Sequence, residues 1–243
     1  MKQQVKYSDL GLMEYQAAWN YQEELLKENV AKKTLVNNSL RESGATDLLS
    51  DTGMITQHHL LFVEHPPVFT LGKNGKMSNV LLEEDEMKKN GIGFFNTNRG
   101  GDITFHGPGQ VVGYPILDLE KFYTDIGKYL RNIEEVIILT MSDYGLTGAR
   151  SKGETGVWID PDVPGRERKI CAIGVRCSRW VTMHGFAFNV NTDLSYFNHI
   201  IPCGINNKQV TSLEKELGVK QDIEEVKSRI KRNFEKVFDA KLI

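Results

Sequence analysis

Cys203 is the residue whose neighbours best suit a nucleophile. It lies between a proline and a glycine, after the polar stretch 191–198, so we expect an accessible thiol in a loop. Cys171 and Cys177 belong to an apolar segment, and we expect them to be small buried side chains. Because three cysteines at these positions match neither a zinc site nor a disulfide framework, at least one thiol is left for chemistry.

Lys169 is a cation on a face that is otherwise apolar. If 169–178 is a strand, Lys169 shares one face with Cys171, Ile173, Val175 and Cys177. A thiol with a pKa near 8.5 is only about 3% thiolate at pH 7, and a nearby ammonium lowers the thiol pKa. Full ionisation gains at most roughly 30-fold, so positioning and oxyanion donors must supply most of any rate enhancement at such a pair.

A glycine-rich stretch at 99–110 has the composition of a binding loop. It contains Arg99, Gly100, Gly101, Asp102, Ile103, Thr104, Phe105 and His106, followed by Gly107-Pro108-Gly109-Gln110. The glycine pair lets the backbone approach a ligand, and the Gly-Pro-Gly turn predicts a connection between strands at 102–105 and 111–119. The alternative is a plain hairpin connection with a solvated histidine, although such a turn does not require a flanking arginine and histidine.

Together with other segments, this loop resembles the signature of the lipoyl(octanoyl) transferase family. The agreeing segments are EHPPVFTLG at 64–72, KICAIGVR at 169–176, HGFAFNVN at 184–191 and PCG at 202–204, with Tyr15, Ala18, Trp19 and Gln22 near the start. The motifs occur in order over nearly the whole chain, which is more specific than any single motif. The family is related in fold to the biotin and lipoate protein ligases, so the resemblance implies that catalytic fold.

The resemblance also implies roles for particular residues. The cysteine matching Cys203 takes the acyl group as a thioester, and the lysine matching Lys169 activates it. The acyl slot is implied to be walled by residues 99–106 and by two further segments, Ala172-Ile173-Gly174 and Gly185-Phe186-Ala187. Small residues there suit a backbone that lies against a ligand, and they also suit close packing of a strand against a helix.

The implied reaction moves an octanoyl group from octanoyl-acyl carrier protein, through Cys203, to a lysine of a lipoyl domain. The implied acceptors are the lipoyl domains of 2-oxoacid dehydrogenase complexes and the glycine cleavage H protein. Transfer of an acyl group from a thioester to an amine has a favourable free energy, so we expect no ATP, cofactor or metal. The segment 72–78 also lacks the spacing of a phosphate loop. Two alternatives stay open: an ATP-dependent lipoate ligase, and a non-catalytic homologue that only binds lipoyl domains.

Composition excludes several other classes. With 243 residues, 40% hydrophobic and 26% charged, the chain has the values of an ordinary globular protein, and we expect one domain over 1–243. A formal charge of -2 gives no broad positive field for nucleic acid or a membrane surface. Since the sequence has neither a signal-peptide core nor an apolar run long enough for a membrane helix, we expect a cytosolic protein.

Hydrophobic periodicity predicts helices and strands that mix without strict βαβ alternation, which favours an α+β fold with a mixed β-sheet flanked by helices. Amphipathic helices are predicted at 12–30 and 118–139, and capped helices begin near Thr211 and Asp222. The polar stretch 35–57 is predicted to be a surface insertion. Three histidines, His58, His59 and His65, are interpreted as satisfied or solvent-facing rather than metal-binding.

Overall fold

The computed structural model describes residues 2–43, 55–201 and 209–243, and these residues form eleven strands and five α-helices. The strands are β1 (Gln3–Leu12), β2 (His58–Glu64), β3 (Val68–Leu71), β4 (Gly93–Asn96), β5 (Ile103–His106), β6 (Gln110–Ile116), β7 (Val157–Ile159), β8 (Arg168–Ser178), β9 (Val181–Asn189), β10 (Gln209–Val210) and β11 (Ala240–Leu242). The helices are α1 (Tyr15–Ser43), α2 (Glu84–Lys89), α3 (Ile126–Ser142), α4 (Leu213–Leu217) and α5 (Ile223–Phe238).

Two sheets organise the fold. The larger has the order β10-β8-β9-β6-β2-β1-β11, with β7 also paired to β8, and the smaller has the order β4-β3-β5. In the larger sheet β1 runs parallel to β2 and β11, and β10 runs parallel to β8, whereas the β2, β6, β9 and β8 neighbours are antiparallel. The predicted α+β fold with a mixed sheet flanked by helices is therefore confirmed.

The helices cover the larger sheet because their apolar residues recur every three or four positions. In α5, Val226, Ile230 and Phe234 are fully buried and belong to one core with α3 and residues of β6, β8 and β9. A second core joins α1 to other residues of β2, β6 and β9, and a third lies around the smaller sheet. Asp125 and Asp222 cap α3 and α5, as expected for acceptor side chains at helix N-termini.

The glycine-rich loop lies where the chain passes from one sheet to the other. Strands were predicted on both sides of Gly107-Pro108-Gly109, and β5 and β6 occupy those places. They are not a hairpin, because β5 pairs with β3 in the smaller sheet whereas β6 pairs with β2 and β9 in the larger one. Gly109 makes this passage possible, since its φ is +78° and a Cβ there would lie 2.5 Å from the carbonyl oxygen of Asn191.

Helix α1 is longer than its apolar periodicity predicts and ends at Ser43, so residues 35–43 of the predicted insertion continue this helix. Its second half is anchored by charge: the Lys33 ammonium lies 2.6 Å from a carboxylate oxygen of the buried Asp118. The Thr56 hydroxyl donates to the other oxygen of the same carboxylate. An apolar pattern does not reveal such an anchor, because it depends on a carboxylate distant in sequence.

Candidate active site

A pocket of about 390 Å³ is lined by residues of both sheets and of the start of α1. Residues of β6, β8 and β9 of the larger sheet line it together with residues of the glycine-rich loop and β5. Most of the residues predicted from the sequence line this pocket: Arg99, Gly101, Asp102, Ile103, Thr104, His106, Lys169, Ala172, Ile173, Gly174, Gly185, Phe186 and Ala187. The fold therefore brings three segments distant in sequence to one cavity.

Two predicted site residues within the described ranges, Gly100 and Phe105, do not line the pocket. The backbone N–H of Gly100 donates to the carbonyl oxygen of Val175, which fastens the loop to β8. Phe105 is fully buried and stacks on Tyr196 with ring centroids 4.5 Å apart, in the core around the smaller sheet. Cys203 lies outside the described residues.

The glycines and alanines of the pocket have different purposes. A Cβ at Gly174 would lie 2.7 Å from the Gly100 carbonyl oxygen, and one at Gly185 would lie 2.1 Å from the Gly113 carbonyl oxygen. These two glycines therefore allow close backbone packing. Ala172 and Ala187 are paired in the β8–β9 ladder and both line the pocket, and Ala187 also belongs to the core that joins α1 to the larger sheet.

A hydrogen-bond chain runs beside the pocket and includes residues that sequence reasoning did not select. The Arg99 guanidinium donates to the Thr70 hydroxyl at 2.9 Å, which lies 3.2 Å from His106 Nε2. The other ring nitrogen of His106, Nδ1, lies 2.8 Å from Gln110 Oε1. Because both protons of the Gln110 amide are donated elsewhere, to the Phe105 carbonyl and the Asn189 side chain, Nδ1 must carry the His106 proton.

The buried histidines of this region are held neutral. Burial lowers the pKa of His65 to about 4 and that of His184 to about 3, and it lowers the pKa of His106 well below the ordinary value. His65 donates from Nδ1 to the Met13 carbonyl, so its Nε2 accepts from the Tyr114 hydroxyl. Among the described residues no group of histidine, cysteine and carboxylate side chains is arranged to hold a metal ion.

Lys169 lies at the pocket beside two groups that attract cations. Its Nζ is 4.5 Å from the centroid of the Trp158 ring and 4.0 Å from Glu154 Oε2. Glu154 also lines the pocket, but as a single carboxylate in a polar loop it gave no sequence signal. Tyr15, Gln110, His184 and Asn189 line the pocket too, and these four lie in segments that carry the resemblance. Tyr114 also lines the pocket but lies outside those segments.

The two cysteines that the structure describes are poor nucleophiles. Cys171 is fully buried, and burial raises the pKa of its thiol far above the ordinary value. Burial also raises the pKa of Cys177, which lies near the end of β8 and is not a pocket residue. Both thiols are therefore neutral at pH 7. Cys171 is buried as expected, whereas Cys177 is only half-buried, because it lies near the exposed end of β8.

No helix in the described ranges has the length and apolar character needed to cross a membrane.

Comparison of the chain with known proteins identifies a family model and full-length relatives that agree with one another. Residues 14–235 match the lipoyl protein ligase A/B catalytic domain family. The octanoyltransferase of Christiangramia forsetii is 54% identical over 243 residues, which covers 100% of this chain and 99% of the relative. The octanoyltransferase of Flavobacterium johnsoniae is 53% identical over 244 residues, which covers 100% of both chains.

Solved structures with the same fold are more distant in sequence. A bi-partite lipoate protein ligase from Thermoplasma acidophilum superposes with a TM-score of 0.65 at 18% identity, covering 99% of this chain and 88% of that one. Lipoate-protein ligase A bound with ATP gives a TM-score of 0.64 at 17% identity, covering 100% and 90%. At such identities these structures establish the fold, whereas the full-length relatives establish the activity: the chain belongs to the lipoyl protein ligase A/B catalytic domain family and is an acyltransferase of its octanoyltransferase branch.

Proposed function

We propose that this octanoyltransferase takes its octanoyl group from the thioester of an acyl carrier protein and delivers it to a lysine of a lipoyl domain, in the cytosol. The full-length similarity to octanoyltransferases at 54% identity carries the proposal. The pocket supports it, because Lys169 lines the same cavity as the apolar side chains of Ile103, Val112, Ile173 and Phe186.

The proposed chemistry has two steps through Cys203. In the first, the thiolate attacks the carbonyl carbon of the octanoyl thioester, the carbon–sulfur bond to the carrier breaks, and the carrier thiolate leaves and takes a proton. In the second, a neutral lysine amine of the lipoyl domain attacks the new thioester, Cys203 leaves as thiolate, and the amide nitrogen loses one proton. Lys169 is the proposed group that stabilises the first thiolate and returns a proton.

The size of the pocket suits this acyl group. Lys169 and Gly174, five residues apart along β8, both line it, and five strand residues span about 17 Å at roughly 3.3 Å each. An extended eight-carbon chain has seven carbon–carbon bonds and is about 8 Å long, because three successive backbone bonds span roughly 3.5 Å. Burying about six methylene groups at roughly 0.8 kcal/mol each contributes about 5 kcal/mol to binding.

The proposed acceptors are the lipoyl domains of 2-oxoacid dehydrogenase complexes and the glycine cleavage H protein. The T. acidophilum ligase of the same fold is described with its E2 lipoyl domain, which supports a lipoyl domain as the acceptor here. An ATP-dependent lipoate ligase is the second candidate, because lipoate-protein ligase A bound with ATP shares the fold. The higher identity to octanoyltransferases favours the first proposal.

Intact mass spectrometry tests the proposal. The protein is incubated with octanoyl-acyl carrier protein without ATP, and we expect it to gain the mass of one octanoyl group. Adding a lipoyl domain should then move that mass to the domain. A requirement for ATP with free octanoate would instead indicate a ligase, and a protein that binds the lipoyl domain but never carries an acyl group would indicate a non-catalytic homologue.

Ala172→Leu is expected to shorten the acyl chain that the pocket accepts. Three added carbons at a pocket residue displace roughly three methylene groups of the substrate, worth about 2.4 kcal/mol at about 0.8 kcal/mol each, or roughly 60-fold in the octanoyl donor concentration at half-maximal rate. Butanoyl transfer should change little. Ala172→Ser, which adds only a hydroxyl, is the matched control. If octanoyl and butanoyl transfer fall equally in Ala172→Leu, the acyl chain does not pass this residue.

A further inference from the structure

Glu154 is a carboxylate that lies beside Lys169 and is largely withdrawn from solvent. It belongs to the segment 150–156 that precedes β7, and its side chain is 18% exposed, against 14% for that of Lys169. Both side chains line the pocket, with Glu154 Oε2 4.0 Å from Lys169 Nζ. This distance exceeds a hydrogen bond, so the carboxylate attracts the ammonium without a close contact.

Trp158 limits the position of the same ammonium from another side. It is the β7 residue opposite Lys169 in the β7–β8 ladder, and its ring centroid is 4.5 Å from Nζ. A cation over the face of an indole ring is attracted to the negative charge of that face. The lysine side chain has four rotatable bonds, so a ring and a carboxylate together restrict it far more than either group alone.

The backbone next to Glu154 packs unusually closely against Lys169 and β8. Gly156 has a φ of +127°, and a Cβ there would lie 2.6 Å from the Cys171 carbonyl oxygen and 3.4 Å from Lys169 Cε. The Gly156 N–H donates to a carboxylate oxygen of the buried Glu134 at 3.1 Å. The segment is therefore held against β8 at a distance that only glycine permits, and Glu154 lies two residues away.

We propose that Glu154 is a positioning residue that holds the ammonium of Lys169 at the pocket for acyl transfer. This inference rests on the proposed function, in which Lys169 assists the attack of Cys203. Glu154 acts through Lys169 and has no other role in the reaction. Consequently its removal should slow the chemical step, should leave donor binding unchanged, and should have no effect once Lys169 is gone.

A double-mutant cycle tests this. Single-turnover acylation by octanoyl-acyl carrier protein is followed by intact mass for wild type, Glu154→Gln, Lys169→Ala and the double variant, with the slow variants followed over hours. Glu154→Gln should lower the rate at saturating donor about tenfold, with the donor concentration at half-maximal rate unchanged. Glu154→Asp should restore part of the rate. Asp162→Asn, which removes an exposed carboxylate after β7, is the control and should match wild type.

The outcomes separate the inference from the function on which it rests. In the Lys169→Ala background, Glu154→Gln should change the rate less than twofold. An equal tenfold loss in both backgrounds, or a wild-type rate in Glu154→Gln, overturns the positioning role. If Glu154→Gln does not fold, Glu154→Asp is used in its place. It moves the charge by one methylene, so it should slow acylation and leave the donor concentration at half-maximal rate unchanged. Absence of any acyl adduct on the wild type contradicts the proposed function itself.

Discussion

Replacing Cys203 with alanine is expected to abolish octanoyl transfer from the carrier protein to the lipoyl domain. The alanine side chain cannot accept an acyl group, so both proposed steps are lost together. The substitution leaves the proposed acyl pocket unchanged, so we expect at least a 1,000-fold loss of rate rather than a loss of donor binding. Single-turnover transfer, monitored by the mass of the lipoyl domain, measures the rate. Retention of octanoyl-acyl carrier protein on the variant measures donor binding.

The other two cysteines provide matched controls. Cys171→Ala and Cys177→Ala remove thiols whose pKa burial raises, so both variants should keep transfer and lose only packing, about 1 kcal/mol. Cys171→Ala is the more stringent control, because Cys171 is two residues from Lys169 on β8. An acyl mass that appears on Cys203→Ala and disappears from Cys171→Ala would identify Cys171 as the nucleophile and contradict the assignment made here.

Much of the pocket lining lies in the segments that the family resemblance implied, residues 99–106, 172–174 and 185–187. A glycine-rich loop and small residues on two strands are visible in the sequence, and the fold brings Gly101 of the loop and the small strand residues to one cavity. The sequence left open whether the small residues serve packing or a ligand. In the structure Gly174 and Gly185 allow close backbone packing, and both also line the pocket together with Ala172 and Ala187.

Other features were not predictable because they depend on contacts distant in sequence. Glu154 is one acidic residue in a polar segment, and only the pairing of β7 with β8 brings this segment to Lys169. Residues 35–43, the end of α1, were interpreted as part of a polar surface insertion, because the contact that anchors the preceding turn joins Lys33 to Asp118, 85 residues away. Residues 44–54 of that predicted insertion lie outside the described residues. β1, β4 and β11 were not predicted. Each becomes a strand by pairing with a neighbouring strand, and its own sequence has no sustained alternation of apolar and polar residues.

The protein is expected to lose most of its stability between pH 6.5 and pH 5, before its carboxylates begin to be protonated. Burial lowers the pKa of His58 and His65 to about 4, against about 6.5 in an unfolded chain. In this window the unfolded chain binds more protons than the folded chain, so the free energy of unfolding falls as the pH falls. Each of the two histidines contributes a loss of about 2 kcal/mol at pH 5, since one pH unit is worth about 1.4 kcal/mol per proton.

Two further buried histidines, His106 and His184, have lowered pKa values and add to this loss, which becomes comparable to the whole stability of an ordinary domain. Carboxylates with lowered pKa values, such as Glu23 and Glu216, destabilise the fold only nearer pH 4 and below, so the window assigns the effect to histidine. Urea unfolding at pH 7, 6 and 5 measures how steeply the free energy of unfolding falls with pH, which gives the number of protons taken up on unfolding. In His65→Gln that number should be smaller by about one. Equal free energies of unfolding at pH 7 and pH 5 would show that these histidines are not held neutral by the fold.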